Sequence, residues 1–209
     1  MSSEIKVNSI QDKTGTRTLA SDSGSAWSWG SSVPKGSVIE QFASPCDGSS
    51  ITVQSGTYTV TNVTSAQTLT QSYGVINGGS LTYTPPTGTQ TVIYNFGFLF
   101  GRDDDSRTIL HLRLYIDGTE VTNFRKTYSF QSTSNPEMYT NVSWPFNIGG
   151  STTDATGRQA TWTSGKAIVL QGRSYNTSFD CKLFNNILWD GSDLQNVFSQ
   201  PVIGITALA

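Results

Sequence analysis

The chain reads as an all-β protein, an antiparallel β-sandwich of jelly-roll-like form preceded by an extended N-terminal arm. Three observations predict this. Apolar residues alternate with a period of two along many short stretches, as strands with one buried face require. Gly, Asn, Asp and Pro punctuate those stretches at fairly even spacing, and no stretch carries the three-and-four apolar spacing of a helix. Only 13% of residues are charged and 35% are hydrophobic, leaving a surface of Ser, Thr, Asn, Gln and Gly that favours strands and turns. At 209 residues the chain is long enough for one domain of ordinary size plus an arm.

Residues 1–36 differ in texture from the rest of the chain. Ile5, Val7 and Ile10 make a brief alternating patch, after which few bulky residues occur until Ala26-Trp27-Ser28-Trp29-Gly30. Such a segment cannot build a core of its own. Either it is a tail without fixed structure, or it is an arm that adds a strand to a neighbour or sets Trp27 and Trp29 into a partner. Two tryptophans in a coreless segment favour docking, so Ile5, Val7, Ile10, Trp27 and Trp29 are the expected anchoring residues.

The domain occupies residues 37–209. Val38, Ile39, Glu40 and Phe42 start its first strand, closed by Ser44-Pro45-Cys46-Asp47-Gly48. Ile51, Val53, Tyr58 and Val60 flank Ser55-Gly56 as a hairpin. Asn77-Gly78-Gly79 reads as a turn, and Leu81-Thr82-Tyr83 as a strand stopped by Pro85-Pro86. Residues 90–118 form the most regular stretch. Val92, Tyr94, Phe96 and Phe98 share one face, with Ile93, Asn95, Gly97 and Leu99 on the other; Leu110, Leu112, Leu114 and Ile116 then oppose His111, Arg113 and Tyr115. With the polar segment Gly101 to Arg107 between them, the two halves read as a long antiparallel pair at the centre of the domain. Asp117-Gly118 is a second turn signal, succeeded by strands around Tyr128 and Phe130 and from Met138 to Ile148. Ala160-Thr161-Trp162 and Ala167 to Leu170 flank Ser164-Gly165-Lys166 as a further hairpin. Leu183 to Trp189 and Pro201 to Leu208 complete the series.

The net charge of −2 and the absence of a basic run argue against nucleic-acid binding. No apolar run approaches the ~20 residues of a membrane span, and the N-terminus lacks a signal-peptide core. Cys46 and Cys181 could meet in a sandwich, though two buried thiols suit a non-secreted protein better.

Chemistry is sparse. His111, the single histidine, lies on the less apolar face of its strand and has no Gly-x-Ser-x-Gly partner, so a structural role is expected and no catalytic residues are assigned. Asp103-Asp104-Asp105 lacks the spacing of a calcium loop; with Arg102 and Arg107 it reads as a solvated turn, and neither metal nor cofactor is expected. Tyr139, Trp162, Tyr175 and Trp189 adjoin polar loops and could stack on a sugar. The loop set Arg102, Asp103, Asp104 and Asp105, with Tyr139, Tyr175, Ser134 and Thr153, is therefore a candidate surface-binding region.

Several phrases resemble virion structural and fibre proteins of tailed phages, particularly those infecting marine cyanobacteria and related hosts: SEIKVNSI, Val38-Ile39-Glu40 to Cys46-Asp47-Gly48, LTYTPPTGTQTVIYNF, LYIDGTEVT, GRQATWTSGK and LFNNILWDG. The resemblance implies a non-enzymatic virion protein, assembled in the host cytoplasm and held to tail, neck or capsid proteins by its arm. It implies a homotrimeric knob, consistent with a second hydrophobic face (Ile93, Leu99, Tyr115) that a neighbour would cover. The alternatives are a module binding a host-surface glycan and a capsid or neck decoration protein. A depolymerase is the least favoured reading.

Overall fold

The computed structural model of the chain describes residues 9–11, 18–22, 26–29, 34–101, 107–131, 137–179, 181–190 and 193–209, with side chains described from residue 34 onward except at 188–195. Strands β1 (Ser9–Gln11), β2 (Thr18–Asp22) and β3 (Ala26–Trp29) form an antiparallel meander of their own. After it come β4 (Val38–Pro45), the hairpin β5 (Ser50–Val53) and β6 (Gly56–Thr59), the short β7 (Gln67–Thr68), β8 (Gly74–Tyr83), β9 (Thr91–Gly101) and β10 (Arg107–Ile116). The two-residue β11 (Thr119–Glu120) leads to β12 (Lys126–Gln131), β13 (Glu137–Asn147) and β14 (Lys166–Ser174). The small β15 (Lys182–Leu183), the hairpin β16 (Asn185–Asp190) and β17 (Asp193–Phe198), and β18 (Val202–Leu208) complete the order.

Eight of these strands carry the architecture. Numbered by position among the eight, the first pairs the last (β4 with β18), the second the seventh (β8 with β14), the third the sixth (β9 with β13) and the fourth the fifth (β10 with β12), all antiparallel. Lateral pairing then joins β18 to β9 and β14 to β10. The result is two four-stranded layers, β4-β18-β9-β13 and β12-β10-β14-β8, which is the winding of an eight-stranded jelly roll. Because β13 runs along all eleven residues of β9, β18 and the little β15 share its other edge end to end.

The core lies between the layers. From the first sheet Val92, Tyr94, Phe96, Phe98 and Phe100 point inward; from the second Leu110, Leu112, Leu114 and Ile116 meet them, all buried. Each such side chain contributes about 1.5–3 kcal/mol relative to exposure. Phe100 closes one end against Tyr128 and Phe130 of β12, with ring centroids 5.8 and 5.4 Å apart. The buried polar tips find partners: Tyr94 donates its hydroxyl to the Gly79 carbonyl at 2.9 Å, and Trp162 donates its indole N–H to the Tyr83 carbonyl at 2.9 Å.

Three sequence expectations are corrected by the fold. β9 and β10 do not pair with each other; each is central in a different sheet, and their apolar faces stack across the core. Alternation identifies which side of a strand is buried but is silent about its neighbour, and the jelly roll sends the chain from one layer to the other between them. Asn77-Gly78-Gly79 is not a chain reversal. It lies inside β8, where Ile76 to Gly79 bulge opposite the single residue Leu170. Gly78 takes φ +79° there, and a Cβ on it would stand 2.8 Å from the Cys46 sulfur. Last, Ala160-Thr161-Trp162 is not a strand: β14 pairs instead with β8 and β10, and Trp162 is a buried core residue rather than a surface aromatic. By contrast Asp117 and Gly118, with φ of +47° and +78°, make the tight two-residue turn their sequence implies, pairing Ile116 with Thr119.

Candidate functional site

The expected anchoring and binding residues are dispersed. Ile5, Val7 and the Arg102-Asp103-Asp104-Asp105 and Ser134 positions lie outside the described residues. Ile10 sits in β1 opposite Leu19, which pairs in turn with Trp29 of β3, while Trp27 pairs with Ser21. Thr153 belongs to the loop beyond β13. Tyr139 and Tyr175, grouped by sequence, are on opposite sides of the molecule. Tyr139 projects from the outer face of the β9 sheet, and Tyr175 comes directly after β14 beside His111 and Phe179, with centroids at 6.0 and 6.1 Å.

The outer face of the β10 sheet is charged. Glu120 accepts from Arg125 at 2.7 and 3.2 Å and stands 3.4 Å from Arg113, and the hydrogen bond from Arg125 holds its carboxyl below the ordinary range. The Arg113 guanidinium lies 4.1 Å from the Tyr73 ring centroid, with Arg173 over the same ring at 5.3 Å. His111 Nδ1 is 2.9 Å from the Thr127 hydroxyl; burial, aided by Arg173, lowers its pKa. These contacts link neighbouring strands, although His111 Nε2 and Arg113 Nε are buried without a hydrogen-bond partner among the described residues. No group of three His, Cys, Asp or Glu among the described residues is placed to hold a metal.

The other outer face is of a different chemistry. Outward positions along β13, β9, β18 and β4 fall in rows set by the strand register: Pro145, Ile93, Thr206 and Gln41; then Ser143, Asn95, Gly204 and Ala43; then Asn141, Gly97, Val202 and Pro45. Tyr139 and Leu99 form the next pair. None of these residues is charged. Gly97 and Gly204, diagonal neighbours on adjacent strands, bring no side chain to the surface, so the face sinks into a depression of about 220 Å³ bordered by Gln41, Asn95, Tyr139, Asn141, Val202 and Thr206. Tyr139 is 60% exposed and lies across Gly97 so closely that a Cβ there would be 2.1 Å from its hydroxyl. The side chains of Gln41, Asn95, Asn141 and Thr206 engage in none of the hydrogen bonds among the described residues. The depression thus offers amide donors and acceptors, a hydroxyl and an aromatic ring, none of them hydrogen-bonded through its side chain among the described residues.

Behind this face, on the inward side of the edge strand β4, Glu40 is buried with no cation against it among the described residues. It accepts from the Tyr83 hydroxyl at 2.7 Å and from the Ser55 hydroxyl and backbone N–H at 2.6 and 2.8 Å. Burial, then the neighbouring Glu40, raises the Tyr83 pKa far above a free phenol's. An inward-pointing carboxylate also marks an edge strand that does not accept a further strand readily. Gln41, the next residue, faces outward from β4 and pairs with Thr206 of β18. Cys46 and Cys181 are both buried and neither is in a disulfide, and burial pushes the Cys46 thiol up to about 11.

Alternation places Asn95 and Gly97 together on the outward side of β9, but it does not reveal that Gly204, Gln41 and Asn141 join them. The fold and site define an eight-stranded jelly roll with an uncharged, amide-lined depression on one sheet. No family model matches the chain, and no curated protein matches it. Among solved structures it is similar to the EclA C-terminal domain, a sugar-binding protein, at 12% identity over 65% of this chain and 79% of that one, with a TM-score of 0.33. It is similar also to the CBM36-1 domain of a multidomain xylanase from the hindgut metagenome of Trinervitermes trinervoides, at 12% identity over 79% of this chain and 96% of that one, TM-score 0.29. A third likeness is to infectious bursal disease virus Gx strain, at 11% identity over 91% of this chain and 48% of that one, TM-score 0.30. At these scores the likenesses carry no argument about function.

Proposed function

We propose that the chain is a non-enzymatic structural protein of a tailed-phage particle, a short fibre or knob whose N-terminal arm joins tail, neck or capsid proteins and whose jelly roll is displayed as a homotrimer. The observation that supports this most is the separation of strand pairing. β1, β2 and β3 pair only with one another among the described residues, while the jelly roll closes its sheets without them. Three strands of three to five residues are marginal on their own, which suits a segment completed by another protein. The phrases resembling virion proteins agree with this reading.

The test is deletion of residues 1–36. The expected product is a folded oligomer, three subunits by native mass spectrometry, that is absent from purified particles. Normal incorporation of the truncated protein would overturn the tethering role, and a monomer would overturn the trimer.

A further inference from the structure

We infer that the depression on the outer face of the β9 sheet is a binding site for a neutral pyranose saccharide. Its borders supply what such a ligand needs. A sugar ring presents an apolar C–H face and a rim of hydroxyls that both donate and accept hydrogen bonds. Tyr139, held over Gly97 and 60% exposed, provides the apolar platform. The side-chain amides of Gln41, Asn95 and Asn141 and the Thr206 hydroxyl ring the depression with groups that donate and accept in equal measure. The depression, about 220 Å³ and open to solvent, gives a sugar ring room to lie on Tyr139.

The chemistry also selects against other occupants. An anionic sugar or a phosphate would require a cation, and the four rows of this face have none; Arg113, Arg125 and Arg173 stand on the opposite sheet beside Tyr73 and Glu120. A second copy presenting the same face would set concavity against concavity. The floor at Gly204 would stay unfilled, and three amides would be desolvated without assured partners, at about 1–3 kcal/mol for each unsatisfied group. The inference stands apart from the tethering role, because it concerns purified protein and no particle.

The experiment is to screen the full chain against an array of neutral oligosaccharides (glucans, galactans and N-acetylhexosamine oligomers) alongside sialylated and sulfated ones, then titrate the best by calorimetry. Binding to neutral sugars is expected. Tyr139→Ala should weaken it about tenfold, the loss of one stacked ring together with its contact area. Asn95→Ala should also weaken it, whereas Tyr175→Ala on the other sheet should bind as wild type. An array blank for neutral sugars, binding indifferent to Tyr139→Ala, or preference for the sulfated and sialylated set would overturn the assignment. So would dissociation of the oligomer by Tyr139→Ala in native mass spectrometry, which would make this face a subunit contact.

Discussion

Glu40 offers the sharpest energetic test of how the binding face is held. A glutamate side chain there accepts three hydrogen bonds with two oxygens, two of them on Oε1 from Tyr83 and Ser55 and one on Oε2 from the Ser55 backbone. Glutamine keeps the shape but replaces one oxygen by an NH2. In one orientation that group confronts the Ser55 N–H; in the other it confronts the two hydroxyls. Either way at least one buried donor loses a charged acceptor, and hydrogen bonds to charged groups are each worth about 1.5–3 kcal/mol. Glu40→Gln should therefore cost about 2–3 kcal/mol, or roughly 4–12 °C in Tm for a domain of this size. Tyr83→Phe removes one donor to the same carboxylate and should cost a similar amount. Because the two groups touch, the double variant should fall short of the sum by at least about 1 kcal/mol. The assay is urea denaturation of the four proteins. Additive losses, or a Glu40→Gln variant within about 0.5 kcal/mol of wild type, would refute the view that this carboxylate anchors β4.

The glycines, the surface ion pair and the thiols give further outcomes. Gly97→Ala should force the Tyr139 ring off the depression; as the clash is with the far end of an exposed side chain, stability should change by less than about 1 kcal/mol while iodide quenching or a crystal structure shows the ring displaced. Gly78→Ala combines a left-handed backbone with contacts of 2.8 Å to Cys46 and 3.0 Å to Val63, and should cost more than about 1 kcal/mol in the same denaturation assay. Glu120, its carboxyl depressed by Arg125 and Arg113, contributes stability that is present above the ordinary glutamate pKa and is lost as pH falls through its lower folded value; Glu120→Gln should flatten that acid limb, measured as Tm between pH 6 and 3. Ellman's reagent should find no reactive thiol in the native protein and two after denaturation without reductant, since both cysteines are buried and neither is in a disulfide; no thiol after denaturation would reveal a disulfide.

Much of the fold is legible in the chain because alternation is a local property. Period two alone identifies every residue of the inward set from Val92 to Phe98 and from Leu110 to Ile116. Partnership is not local. Asp117-Gly118 can be read as a turn because both residues adopt the positive φ that such a turn demands. Asn77-Gly78-Gly79 has the same look, yet its glycines serve a bulge where the backbone passes close to Cys46 and Leu170. Trp162 resembles a surface aromatic because its neighbours are polar, and only the fold reveals that its indole reaches the Tyr83 carbonyl. The binding face is half visible. Tyr139 stands out in the sequence, but beside a loop and in company with Tyr175, whereas Gln41, Asn95, Asn141 and Gly204 are far apart in the chain and meet solely through the register of four strands.

The nesting of first strand with last has a consequence for biosynthesis. β18 lies between β4 and β9, and the Gly36 and Ala209 backbones are hydrogen-bonded at 2.6 Å, so the earliest and latest parts of the domain must come together. While residues 202–208 are still within the ribosome, β4 has no neighbour and the edge of β9 that β18 will occupy is bare. Such high contact order makes folding slow and delays completion of this sheet until residues 202–208 have emerged. A nascent chain exposes the Phe-rich stretch of β9 throughout that interval, so products truncated before residue 202 should aggregate rather than fold.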